Sequence, residues 1–156
     1  MKNILSLLML FSLTTLSFGQ KAMPFSKAME QGISIQELDD TYTSGIHADT
    51  SLGVFNKNQD EFISAYQKLL QELGKYLNDN KFSWDKATKG FNRIYFQKNG
   101  KIDYFIYHFK PGQLTIEQEK RFGELLESFI KNYTFPLTAD KNFAQCSPVT
   151  YMPAAK

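Results

Sequence analysis

The sequence predicts an α+β fold in which an antiparallel sheet of about three strands packs against two amphipathic helices. The helices are indicated by apolar residues that recur at helical spacing in two separate segments. The sheet is indicated by an Asn-Gly turn between two runs rich in aromatic and β-branched residues. The segments are 58–79 and 115–133 for the helices, 90–109 for the hairpin and 143–151 for a third strand.

Residues 1–19 have the pattern of a cleavable signal peptide. Lys2 gives a positive start, and the run from 4 to 16 is mostly apolar but too short to cross a bilayer. Small residues stand three and one positions before Gln20, as signal peptidase requires. We therefore predict cleavage after Gly19 and a periplasmic or secreted protein that does not insert into a membrane once it is cleaved.

The composition of the predicted mature chain excludes some classes of function. Its 137 residues (156 minus 19) are enough for one ordinary domain. Without Lys2 it carries 17 basic and 16 acidic side chains, and these charges are interspersed. Binding to nucleic acid through a basic patch is therefore not predicted. Cys146 is the only cysteine, so no disulfide can form within the chain.

The N-terminal part of the mature chain shows no clear periodicity. We predict that 20–57 is an irregular segment and that 58–156 forms a single α+β domain. Its first helix begins at Asn58, a good capping residue with Glu61 three positions later. The apolar positions of this helix are Phe62, Tyr66, Leu69, Leu70, Leu73 and Leu77.

The hairpin is predicted in detail, because a two-residue type I′ turn at Asn99-Gly100 sets the register of both strands. Every facing pair then sums to 199, so that Tyr95 faces Tyr104 and Phe96 faces Asp103. One face is mostly apolar and is the predicted core: Ile94, Phe96, Phe105, Tyr107 and Phe109. The opposite face mixes aromatic and polar residues: Phe91, Arg93, Tyr95, Gln97, Ile102, Tyr104, Ile106 and His108.

The second helix and the last strand follow the hairpin. Thr115 and Gln118 have the spacing of a capping box, which opens the helix predicted at 115–133. This helix is expected to lie on the apolar face of the hairpin. Pro148 cannot donate a backbone hydrogen bond, so the strand at 143–151 is expected to lie at an edge of the sheet or to bulge at this residue.

The order of hairpin, helix, Pro-containing turn and final strand resembles the C-terminal domain of TonB-type energy transducers. The residues that carry the resemblance are Asn92–Phe109, the helix 115–133, the Phe135-Pro136 step and the closing stretch Phe143–Pro153. The resemblance implies an α+β fold, a periplasmic location and docking on short peptide segments by strand addition. The sequence shows neither a retained N-terminal membrane helix nor a Pro-rich spacer. Energy transduction is therefore not expected.

One pair of residues suggests an enzyme. Cys146 and His108 are predicted on strands of one sheet, where a thiolate and its base would allow a thiol-dependent reaction. A third group that would orient the histidine is not identifiable. His47 and Asp49 offer two metal ligands, fewer than a zinc site needs, so no metal and no cofactor is predicted.

The mixed face of the hairpin is the predicted binding surface. Its residues Phe91, Arg93, Tyr95, Tyr104 and His108 combine flat aromatic area with hydrogen-bond donors. The sequence therefore favours a non-enzymatic binding module for a peptide, an envelope protein or a small apolar ligand. If the helix 58–79 instead covers this face, binding is expected at an exposed strand edge, either Gly90–Lys98 or Phe143–Cys146.

Overall fold

The computed structural model describes residues 19–153, so the predicted signal peptide lies, apart from Gly19, outside the described residues. None of the helices in this range is long and apolar enough to span a membrane. Over residues 19–153 the chain forms four helices and five strands, with a 3₁₀ turn before the third helix. They are β1 (Lys21–Pro24), α1 (Phe25–Glu30), α2 (Ile35–Thr41), β2 (Thr43–Ser44), the 3₁₀ turn Asn56–Asn58, α3 (Gln59–Asp79), β3 (Thr88–Phe96), β4 (Ile102–Phe109), α4 (Ile116–Asn132) and β5 (Phe143–Tyr151).

The sheet is larger and more mixed than the sequence predicts. Its five strands have the order β1-β4-β3-β5-β2. β3 is central. It is antiparallel to β4, as predicted for the hairpin, and to β5, but β1 pairs in parallel with β4 and β2 in parallel with β5. The prediction of an antiparallel sheet of about three strands is therefore wrong. β1 and β2 contain four and two residues, too few for a period-two pattern to identify them.

The segment 20–57, which we expected to be irregular, contains β1, α1, α2 and β2. It passes from one edge of the sheet to the other, because β1 and β2 are the two outer strands. Ser34 caps α2 by accepting a hydrogen bond from the Glu37 N–H at 3.2 Å. The segment therefore completes both edges of the sheet and supplies a short helical layer.

Both long helices lie on one face of the sheet, which we call the principal face. Thr115 and Gln118 form the predicted capping box of α4. The buried residues of α3 and α4 join Ile94, Phe105 and Tyr107 in one large core. The interpretation that helix 58–79 covers the opposite face is therefore wrong. Its apolar stripe is buried beside α4 instead.

The hairpin turn differs from the predicted type I′ turn and shifts the register. The Gly100 N–H donates to the Gln97 carbonyl at 2.9 Å, and the Gln97 N–H donates to the Lys101 carbonyl at 2.8 Å. Gly100 has φ +86°, a value that favours glycine, whereas Asn99 does not have a positive φ. A three-residue loop with a bulge replaces the two-residue turn, which Asn-Gly equally permits.

The bulge changes which way two residues face. The predicted pairs hold as far as Tyr95 and Tyr104, but Phe96 then pairs with Ile102 instead of Asp103. Ile102 is consequently buried in the principal core, and its predicted place on the mixed face is wrong. Asp103 reaches Tyr42, a residue of the smaller core on the opposite side of the sheet.

Candidate functional site

The face opposite the long helices is divided into a covered part and an open part. We call it the second face, and its strand residues include Phe91, Arg93, Tyr95, Tyr104, Ile106, His108, Ala144, Cys146 and Pro148. The residues around α1 and α2 cover one part of it. This contact forms a small second core of Met23, Ala28, Tyr42, Tyr95, Ile106 and Ala144.

The predicted binding residues fall on different sides of this division. Tyr95 is fully buried, and Tyr104 is half-buried at the margin of the second core. Phe91 and His108 face each other across β3 and β4 and are exposed, Phe91 to 37%. The guanidinium of Arg93 lies 5.8 Å from the centre of the Phe91 ring. The structure therefore does not present the five residues as one open surface.

Arg93 joins the sheet to α2. Its Nη1 lies 2.9 Å and 3.2 Å from the two carboxylate oxygens of Asp39, and the Tyr95 hydroxyl donates to the same carboxylate at 2.8 Å. Burial, followed by the hydrogen bond to Asp39, raises the pKa of Tyr95, so its hydroxyl remains a donor at neutral pH. These contacts fix α2 across the second face.

The structure does not bring Cys146 and His108 together. β3 lies between their strands, where Arg93 is the partner of Cys146 and Phe91 is the partner of His108. The Cys146 sulfur instead accepts a hydrogen bond from Arg93 Nη1, with an N–S distance of 3.7 Å. Burial raises the pKa of the Cys146 thiol, and the charge of Arg93 opposes this effect. A thiol nucleophile needs a depressed pKa or an adjacent base, so this geometry does not favour the enzymatic alternative.

A cleft of about 790 Å³ opens between α2 and the turn of the hairpin. One wall comes from α2 and the residues just before it, and the other from the turn, the start of β4 and Asn142. The lining residues are Gly32, Ile33, Ser34, Glu37, Leu38, Thr41, Tyr42, Gln97, Lys98, Asn99, Asp103, Tyr104 and Asn142. The cleft has the size of a small-molecule site, and Tyr104 is the predicted binding residue that lines it.

A nearly buried carboxylate lies in this cleft. Asp103 is 9% exposed and accepts hydrogen bonds from the Tyr42 hydroxyl at 2.6 Å and from Gln97 Nε2 at 2.5 Å. Burial, followed by the hydrogen bond to Asp103, raises the pKa of Tyr42. Tyr42 therefore stays protonated at physiological pH, and its hydroxyl donates a hydrogen bond to the carboxylate.

The outer edge of β5 is protected over its first half against an incoming strand. The N–H of Gly45 donates to the Ala144 carbonyl at 2.7 Å. The backbone N–H and carbonyl groups of the even-numbered residues of β5 therefore point toward this edge. Gln145 Nε2 donates to the next such carbonyl, at Cys146, at 3.1 Å. Pro148 then faces outward and has no N–H, the usual protection of an edge strand.

Neither of the two predicted edge sites is a fully exposed strand edge. Gly90–Lys98 lies largely in β3, which is paired on both sides, so the prediction of an exposed edge there is wrong. Within Phe143–Cys146, the first two residues are paired with β2. The expected edge position of this strand holds only beyond Ala144, because β2 pairs with its first two residues and is the outermost strand.

The loop with His47 and Asp49 is organised by its own hydrogen bonds. The Asp49 N–H donates to His47 Nδ1 at 3.0 Å, and the Asp49 carboxylate accepts from the Ser51 N–H and hydroxyl. Within residues 19–153, no three His, Cys, Asp or Glu side chains are grouped so as to hold a metal ion. These two residues therefore stabilise a turn.

Sequence reasoning missed the residues of α2 and the role of Asp103. One signal for α2 was present, because Ser34 and Glu37 have the spacing of a helix N-terminus. Nothing in the local sequence indicated the bulge that turns Asp103 toward Tyr42. That position depends on which of two permitted turns the hairpin adopts.

Comparisons of the chain with protein-family models, with curated proteins and with solved structures give no match.

Proposed function

We propose that this protein is an exported, non-enzymatic binding module that holds a small ligand, or a side chain of an envelope partner, in the cleft between α2 and the hairpin turn. Export rests on the sequence of residues 1–19. The binding role rests on the cleft. In the cleft, Tyr104 of the predicted binding surface lies beside the polar hairpin residues Gln97 and Asn99.

The observation that carries the proposal is a concave site with a few convergent polar groups. Asp103 and Gln97 lie on the hairpin side, and Glu37 lies on α2. Tyr104, Ile33 and Leu38 add apolar surface at the margin of the second core. Apolar walls with a small number of placed polar groups are the usual form of a ligand site.

The sequence resemblance of the hairpin, α4 and β5 segments to TonB-type C-terminal domains is a further argument for a binding role, although fold alone does not confer function. Strand addition at β5 is less well supported, because β2 covers the start of its outer edge, the Gln145 side chain occupies the Cys146 carbonyl and Pro148 has no N–H. A ligand in the cleft needs no free backbone groups. We therefore favour the cleft over the sheet edge, and energy transduction is not part of the proposal.

The proposal is tested by a binding screen with two matched variants of α2. Backbone amide spectra of the ¹⁵N-labelled protein are recorded with a library of short peptides, sugars, amines and carboxylic acids. Thr41→Trp places a large ring in the cleft, because Thr41 is an exposed lining residue. Gln36→Trp places the same ring on the same helix at an exposed residue that does not line the cleft.

We expect at least one class of compound to shift the amide signals of cleft residues such as Gln97 and Tyr104. The response should be lost in Thr41→Trp and retained in Gln36→Trp. The proposal is wrong if no compound shifts these signals, or if both variants respond as the unmodified protein does.

A further inference from the structure

The charges that line the cleft are not balanced. Asp103 and Glu37 contribute two carboxylates and Lys98 contributes one ammonium. Of the ion pairs formed by residues 19–153, none involves Asp103, so no lysine, arginine or histidine nitrogen of the described chain lies within 4.0 Å of its carboxylate. Its two hydrogen-bond donors, Tyr42 and Gln97, are both neutral. Within residues 19–153, the nearly buried carboxylate therefore has no cationic partner.

An unpaired carboxylate in this setting is costly to maintain. Taking a charged group out of water without an opposite charge lowers stability, and neutral hydrogen bonds offset this only in part. A carboxylate offers about four acceptor positions, and two of those on Asp103 are used. The remaining acceptor capacity belongs to a side chain that lines the cleft. An incoming cation would gain both a charge partner and a hydrogen-bond acceptor.

We propose that the ligand of the cleft carries a primary ammonium group that pairs with Asp103. This inference rests on the proposed function and specifies the chemistry of its ligand. The group belongs either to a small free amine or to a lysine side chain of a partner. Both present the same ammonium on an aliphatic arm, and the experiment below separates them.

The rest of the cleft fits an ammonium on a short aliphatic arm. Ile33 and Leu38 provide apolar surface for the methylene groups. The rings of Tyr42 and Tyr104 lie in the same lining, and aromatic rings attract a cation near their faces. Glu37 adds a second negative charge on the α2 side. An anionic ligand would instead be repelled by both carboxylates.

The test compares ligands that differ in charge at constant shape. Wild-type protein at pH 7 is titrated with n-butylammonium, with neutral n-butanol and with butyrate, and the amide shifts of Gln97 and Tyr104 are followed. A capped Ala-Ala-Lys-Ala-Ala peptide and the same peptide with norleucine in place of lysine form a second pair. The first set reports on a free amine and the second on a lysine side chain.

Two variants assign the effect to Asp103. Asp103→Asn keeps the shape and can accept the Tyr42 hydrogen bond, but it removes the charge. Asp60→Asn removes a charge from an exposed residue in the first turn of α3 and is the matched control. We expect butylammonium or the lysine peptide to bind wild type and Asp60→Asn alike, with affinity reduced about tenfold or more in Asp103→Asn.

Each outcome has a distinct meaning. Equal shifts with butylammonium and butanol, or unchanged affinity in Asp103→Asn, would overturn the inference. The comparison of butylammonium with butanol is made on wild-type protein, so it tests the need for a positive charge even if Asp103→Asn does not fold. If both ammonium ligands fail while another compound gives a response that Thr41→Trp abolishes, the ammonium inference fails and the proposed function stands. If nothing binds in the cleft, the proposed function itself fails.

Discussion

The two faces of the sheet are stabilised in different ways. The principal face is covered by α3 and α4, with 21 and 17 residues, and its core is a continuous set of aromatic and aliphatic side chains. The second face is covered by α1 and α2, with six and seven residues, and its core has six buried members. Helices this short are not stable in isolation. The second layer therefore depends on its contacts with the sheet.

Polar contacts compensate for the small size of the second core. Asp39 binds Arg93 and Tyr95, and Tyr42 binds Asp103, so charged or polar pairs connect the α2 region to the sheet. Apolar burial contributes most of the stability of a domain, and such pairs contribute less when they are partly exposed. We infer that local unfolding of the second layer requires less free energy than unfolding of the principal layer. The cleft lies in this less stable layer.

The largest expected difference comes from the same substitution in each core. Leu69→Ala removes a fully buried side chain of α3 and should lower the free energy of unfolding by about 3–4 kcal/mol. Leu38→Ala removes a half-buried side chain of α2 and should cost about 1 kcal/mol. Urea unfolding followed by circular dichroism measures both. Equal losses would show that the two layers are stabilised to the same extent.

The next largest expected effect is a loss of stability at alkaline pH, caused by a buried tyrosine of the principal layer. Burial raises the pKa of Tyr66 to about 12, whereas a tyrosine in the unfolded chain ionises near pH 10. The folded state then binds more protons between pH 10 and 12, so stability falls as pH rises through this range. The fall due to Tyr66 should be about 2–3 kcal/mol.

Tyr66→Phe isolates this contribution. The variant loses the hydrogen bond to Ser147 and should be about 1 kcal/mol less stable at pH 9. Its further decline between pH 10 and 12 should be shallower than that of wild type, although other buried tyrosines still contribute. Urea unfolding at pH 9, 10 and 11 gives the two curves. Parallel curves would mean that Tyr66 is accessible enough to ionise in the folded state.

Tyr104 tests where the covered part of the second face ends. Tyr104→Ala should cost about 1 kcal/mol, because this side chain is only half-buried. Tyr95→Ala should cost about 3 kcal/mol or more, because Tyr95 is fully buried and donates to Asp39. Urea unfolding of both variants measures the difference. A loss of several kcal/mol in Tyr104→Ala would instead place this residue inside the second core and close one wall of the cleft.

The smallest expected effect concerns the ion pair that holds α2. The side chains of Arg93 and Asp39 are 29% and 39% exposed, so Asp39→Asn should cost only about 0.5 kcal/mol. Asp40→Asn, at the next residue, removes a charge without an ion pair and should cost less. Hydrogen exchange of the α2 amides is the sensitive readout. Faster exchange in α2 alone, confined to Asp39→Asn, would confirm that this pair holds the second layer closed.

Much of the principal layer could be predicted because its signals are local. The apolar spacing predicted α3 and α4, and Thr115 with Gln118 identified a capping box that the structure contains. The Asn-Gly turn located the hairpin, and Pro148 indicated an outward-facing position on β5. These features lie within one element or between neighbours in the chain. Period, capping and turn chemistry are properties of such short segments.

The candidate site was less accessible to sequence reasoning. Tyr104 was predicted as a binding residue and lines the cleft, whereas Tyr95, on the same predicted face, is buried beneath the α2 region. Asp103 was predicted to pair with Phe96, a pairing that the bulge replaces with Phe96 and Ile102. Tyr42 and Leu38 belong to a segment with no clear periodicity. The cleft combines residues separated by more than 60 positions in the chain.

By itself, the sequence determined that the chain forms two long amphipathic helices and a hairpin, and it predicted export from the pattern of residues 1–19. Only the tertiary structure decided that both helices share one face, that β1 and β2 complete the edges, and that α2 forms one wall of a cleft. The physical reason is the distance along the chain over which each kind of interaction acts. Periodicity and turns follow from a few adjacent residues, whereas the choice of packing partner follows from how all the apolar surfaces of the chain are buried together.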